Sequence, residues 1–155
     1  MESKAWRRVA VHGVDGLTEV GFAAESNFLV VVSELGRGVF DTVTGDRVSR
    51  HEDGETTDWF DEATKRALGI GPLDGEWVAV AGLCGGALPD VTGDGWVVRR
   101  DGRGVVLSHP DHASQHIHET EELRAFGFSP RGDCFVLAVT PDVHIYRRVE
   151  AAPAG

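Results

Sequence analysis

Apolar residues along this chain fall into short runs separated by polar, glycine-bearing breaks. Trp6-Arg7-Arg8-Val9-Ala10-Val11 predicts a first strand, ended by His12-Gly13. Leu17 to Ala23 predicts a second, with Ala24-Glu25-Ser26-Asn27 as its turn. Phe28-Leu29-Val30-Val31-Val32-Ser33 is a continuous Val-rich run of the length of a buried strand. Val39-Phe40-Asp41 opens the next strand, Thr44-Gly45-Asp46 turns it, and Arg47 to Arg50 returns. Strand, turn and strand at this spacing form an antiparallel meander. The same grammar resumes at Trp77 to Gly82, in a hairpin around Asp101-Gly102-Arg103-Gly104, and at Leu123–Phe128, Cys134–Val139 and Val143–Arg148. His109 to Glu122 is polar and reads as irregular.

One segment departs from this pattern. Asp58 precedes Trp59 to Leu68, and Gly69 follows. Asp58 suits an N-cap with Asp61 three residues on, Lys65-Arg66 suit the C-terminal end of the dipole, and Gly69 suits the left-handed terminal position. The spacing therefore predicts one short α-helix over 59–68, with Trp59, Ala63 and Ala67 on its packed side.

Two stretches of the chain repeat each other. Leu17 to Val32 aligns without a gap with Leu123 to Ala138 at a constant offset of 106, bringing Gly21 onto Gly127, Phe22 onto Phe128 and Val30 onto Val136. Further on, Val39-Phe40 meets Ile145-Tyr146. A fainter middle copy sets Phe28 to Val32 against Trp77 to Ala81, and Val43 to Asp46 against Val91 to Asp94. One such meander cannot bury both faces, so copies must pack on one another. Phe128-Ser129-Pro130-Arg131-Gly132-Asp133, with Asp142 to Arg147, resembles a blade of the Trp-Asp-repeat β-propeller family. Val39 to Val48 resembles that family's blade end, with Phe40-Asp41 where Trp-Asp would stand. The likeness covers about residues 17–50 and 123–149. Propellers use at least four blades of about 40–45 residues, and the chain has room for three at most. The resemblance thus implies a truncated or opened propeller, a half propeller that pairs with a second copy as a homodimer, or a sheet that only borrows the blade pattern. It also implies a scaffold that holds a partner and does no chemistry.

With 155 residues, the chain is expected to form one β-rich domain over 1–150, with a frayed tail at 151–155. The formal net charge is −10, which repels a polyanion, so no nucleic-acid partner is expected. A partner with a basic surface is favoured instead. No run approaches the about eighteen apolar residues of a membrane span, and Met1 to Ala10 lacks the apolar core of a signal peptide. Lysine is scarce (Lys4 and Lys65), a bias that often accompanies GC-rich bacterial genomes. A cytoplasmic bacterial protein without a membrane partner is expected, with Cys84 and Cys134 as reduced thiols.

Candidate chemistry is thin. His109, Asp111, His112, His116, His118 and Glu119 crowd together, and His112, His116 and His118 have spacings that can chelate a divalent metal, but with no second ligand cluster a solvated polar loop is the favoured reading. Cys84 before Gly85-Gly86 reads as a small buried thiol, and Cys134 as core. Asp58, Asp61 and Glu62 can serve hydrolysis, but helix capping explains their positions. Arg37, between Gly36 and Gly38, can present its guanidinium to an anion. Trp59 with Phe60, or Trp96, can serve as an aromatic anchor or sit in the core.

The expectation is a mainly β protein of antiparallel meanders resembling propeller blades, acting as a non-catalytic protein-binding module. An acidic inhibitor or immunity-type partner of a basic protein is its sharper form, with Arg37, Trp59, Asp61 and Glu62 at the interface and no cofactor. The alternative is a metal-binding protein or metal-dependent hydrolase using His109 to Glu119.

Overall fold

The computed structural model describes residues 5–52, 58–102, 104–118 and 122–149. The tail expected at 151–155, like Glu119, lies outside them. The strands in chain order are β1 (Trp6–Gly13), β2 (Leu17–Phe22), β3 (Phe28–Ser33), β4 (Gly36–Asp41), β5 (Arg47–Glu52), β6 (Phe60–Asp61), β7 (Arg66–Leu68), β8 (Trp77–Ala79), β9 (Ala81–Gly82), β10 (Val97–Asp101), β11 (Gly104–His109), β12 (His112–Ile117), β13 (Leu123–Phe128), β14 (Cys134–Val139) and β15 (Asp142–Arg148). One 3-10 turn, Gly71–Leu73, precedes β8.

These strands make four antiparallel sheets. Sheet I has the order β5-β4-β3-β2-β9, sheet II β6-β7-β8, sheet III β10-β11-β12 and sheet IV β1-β15-β14-β13. The expected class, mainly β in antiparallel meanders, is what forms. Four sheets fit where blade length leaves room for three because sheet II uses strands of two or three residues. Sheet IV also borrows its outer strand from the start of the chain, Trp6 pairing with Arg148 and Gly13 with Asp142.

The sheets stack in the order II, I, IV, III, with an apolar layer at each join. Val30, Val32 and Val39 of sheet I meet Trp59, Ala67 and Val78 of sheet II. Val20, Phe22, Leu29, Val31 and Phe40 on the other side of sheet I meet Val136, Ala138, Val143 and Ile145 of sheet IV. Phe128, Phe135, Leu137 and Tyr146 on the far side of sheet IV meet Val98, Val105 and Leu107 of sheet III, with Trp6 and Trp96 between them. This double-sided burial explains why β3 and β14 read as unbroken apolar runs.

The meander of β2, β3 and β4 and that of β13, β14 and β15 begin their strands at the same offset of 106. Their pairings match rung for rung: Gly21 opposite Val30 and Gly127 opposite Val136, Phe22 opposite Leu29 and Phe128 opposite Phe135. Even the irregularity at Leu17/Glu19 recurs at Leu123/Ala125. Phe22 and Phe128 both end their strands inside a core layer. The side of sheet I that faces sheet IV corresponds to the side of sheet IV that faces sheet III, so the two meanders stack head to tail.

The helix expected over 59–68 does not form: Phe60-Asp61 and Arg66–Leu68 are the strands of a hairpin. Asp61 is a turn former and not a helix cap residue. Its Oδ1 accepts the backbone N–H of Ala63 at 3.1 Å and Thr64 at 3.4 Å. Asp41 does the same for Val43 at 2.8 Å and Thr44 at 3.4 Å. Lys65, at φ 55°, takes the left-handed position that Gly45 holds at φ 82° in the earlier turn. The hairpin lets Trp59 and Ala67 reach sheet I while β7 pairs with β8, which a ten-residue helix could not do. The second correction is β12, inside the segment read as irregular. It is an edge strand exposed along most of its length, so pairing with β11 demands no apolar alternation.

Candidate protein interface

Sheet II turns one face to sheet I and the other outward. Register puts Phe60, Ala67 and Val78 on the inward face, with Ala67 and Val78 buried. Alternation sends Asp61, Arg66, Trp77 and Ala79 outward, while Leu68 at the end of β7 is half-buried and packs against the join with sheet I. Trp77, opposite Leu68, is 44% exposed there. The segment that builds this sheet and its turns also carries the exposed carboxylates of Asp58, Asp61, Glu62, Asp74 and Glu76, against the cations Lys65 and Arg66. The face is thus an aromatic set in an acidic frame.

The four residues assigned to an interface from sequence divide into two pairs. Arg37 and Trp59 lie inside the join between sheets I and II. The Arg37 guanidinium sits 4.7 Å above the Trp59 ring and its Nη1 donates to the Leu68 carbonyl at 2.8 Å. Together they clamp β7 and fix the attitude of the outward face. Asp61 and Glu62 lie in the exposed turn at the end of that face. Trp77 was missed, and its signal was present: in Trp77-Val78-Ala79-Val80, the two valines claim the buried side, so the tryptophan must face out.

The histidines of the 109–118 segment spread over the end of β11, β12 and the residue that follows it. His109 receives the Asp111 N–H on Nδ1 at 3.0 Å and donates from Nε2 to the Asp94 carbonyl at 2.8 Å, so both ring nitrogens are engaged. His112 stacks on Trp96 at 5.1 Å. His116 lies 3.7 Å from the Asp101 carboxylate and its ring runs parallel to that of His118 at 6.4 Å. His112 and His116 are four residues apart on one extended strand, about 13 Å. Among the described residues, no three His, Cys, Asp or Glu side chains come together as a metal site.

Burial raises the Cys84 thiol above its usual range, with the nearby Glu19 carboxylate adding to it. Burial pushes Cys134 up to about 12. Both are therefore thiols at neutral pH and weak nucleophiles. Asp94 is the opposite case. Arg148 grips it through Nη1 at 2.5 Å and Nη2 at 3.1 Å, and Thr92 donates to it at 2.6 Å, lowering it to about 2 from 3.8. Because the folded carboxyl is the more acidic, its contribution is complete above about pH 4 and disappears as pH falls through about 2. We expect the stability gap between wild type and Asp94→Asn to shrink from pH 5 to pH 2 in urea titrations; a constant gap would remove this assignment.

No helix among the described residues is long and apolar enough to cross a membrane. No protein-family model and no curated protein matches the chain.

Proposed function

We propose that this chain is a non-catalytic protein-binding module, and that the outward face of sheet II receives a partner with a basic surface. The exposure of Trp77 on that face carries the reading. Tryptophan is a preferred anchor of interfaces, and the carboxylates around it supply the complementary charge that steers a cationic partner. The likeness of residues 17–50 and 123–149 to Trp-Asp blades, scaffolds that hold partners, supports it. So does the net charge of −10. An inhibitor or immunity-type partner of a basic enzyme is the form of this role that best suits a small acidic chain, and the product of an adjacent gene is the first partner to test. With that product immobilised, wild-type chain should bind in a salt-sensitive way, and Trp77→Ala should weaken binding at least about tenfold with an unchanged melting temperature. Binding indifferent to both Trp77→Ala and salt, or seen only between copies of this chain, would refute the proposal.

A further inference from the structure

A second site lies on sheet I, apart from the face that carries Trp77. A hollow of about 270 Å³ opens between β4, β5 and the loop Gly13 to Asp15. Three rungs cross the sheet beneath it: Leu29–Phe40–Arg47, Val31–Gly38–Arg50 and Ser33–Gly36–Glu52. Gly36 and Gly38 hold the middle of two rungs without a side chain, which leaves the space open. Val31 and Phe40 make the floor apolar. Arg47 and Arg50, three residues apart, would project to opposite faces of a regular strand. The irregularity opposite Val39/Phe40 leaves Val48 unpaired and returns both arginines to the same face.

The charges of this hollow differ in what they are free to do. Arg50 is ion-paired with Glu52. The Arg47 guanidinium lies 5.5 Å above the Phe40 ring, and among the described residues it has neither an ion pair nor a hydrogen bond. Asp15, in the loop on the other wall, has no ion pair among the described residues either. The Phe40 ring lies beneath the guanidinium, and its N–H groups, engaged by no described residue, are open to a carboxylate. A simple anion can engage Arg47 alone, whereas a zwitterion engages Arg47 and Asp15 together. The volume lies just below that of pockets for drug-sized ligands.

We propose that this hollow binds a small zwitterion with an aliphatic body, an amino acid or similar amino carboxylate. Its carboxylate meets Arg47, its ammonium meets Asp15 and its aliphatic part rests on Val31 and Phe40. The test is titration of the ¹⁵N-labelled full chain with L-leucine and with 6-aminohexanoate, which differ in charge separation. Leucinamide and isovalerate, each lacking one charge, are the controls. At least one zwitterion should shift the Gly36 and Gly38 amides at concentrations on the order of 10 mM, with both controls about tenfold weaker or more. Arg47→Gln should abolish the shifts. Gly38→Ala should weaken them without unfolding the chain, because the added carbon meets the Ser49 carbonyl at 3.4 Å and Phe40 at 3.6 Å, ordinary contacts. No shift with either zwitterion, isovalerate binding as well as the zwitterions, or unchanged binding by Arg47→Gln would each overturn the proposal.

Discussion

Gly127→Ala should destabilise the protein by about 3 kcal/mol, and Gly21→Ala by a similar amount. The two glycines are equivalent positions of the repeated meander, and at each a neighbouring segment crosses directly over the backbone. A Cβ at 127 would overlap the Leu88 side chain and approach the Pro89 carbonyl oxygen to 2.9 Å. A Cβ at 21 would overlap the Ala79 carbonyl and reach Val80 at 2.9 Å. Backbone atoms cannot swing aside as a flexible side chain can. Relief requires giving up the hydrogen bond from Phe128 N–H to the Pro89 carbonyl at 2.8 Å, or the pairing of β2 with β9. Gly93→Ala is the control, since nothing lies within 4 Å of its added carbon. In urea unfolding the first two variants should lose several kilocalories per mole and the third should match wild type. A loss below about 1 kcal/mol at either crossing would show that the crossing segments yield.

Trp6→Ala should cost about 4 kcal/mol. Trp6 is fully buried in the layer between sheets IV and III. Its ring meets Trp96 edge-on at 5.7 Å, Phe128 at 5.2 Å and Phe135 at 6.4 Å, and the Arg148 guanidinium lies 5.1 Å over it. Its backbone is also held by one side chain: Gln115 accepts from the Trp6 N–H at 3.1 Å and donates to its carbonyl at 2.8 Å. One residue thus binds the start of the described chain to two sheets. The indole N–H has no acceptor among the described residues, so Trp6→Phe gives up packing alone and should cost roughly half as much. Thermal melts of the two variants check the ordering. Equal losses would mean that the site depends on the full indole and not on aromatic packing.

Much of the framework was legible locally. The doubled meander could be read at a constant offset because both copies need the same features: a glycine under a crossing segment, an aromatic residue at the strand end and an apolar run buried on both sides. The site was less legible. Gly36-Arg37-Gly38 signals an arginine between glycines, but which face takes the guanidinium follows from strand parity and from Trp59 waiting across the join. Sequence could not show that Val48 would be left unpaired and align Arg47 with Arg50, because a bulge belongs to a pair of strands and not to either one.

The sequence alone determined the β class, the 106-residue offset of the repeated unit and the acidic charge, since apolar runs, turn residues and ionisable groups are properties of neighbours along the chain. Tertiary structure decided that 59–68 is a hairpin, that Trp59 is buried while Trp77 is exposed, and that the sheets stack head to tail. Helix propensities over ten residues differ by tenths of a kilocalorie per position, whereas burying one tryptophan against a waiting sheet contributes about 2–3 kcal/mol, so the partner surface prevails over the local preference.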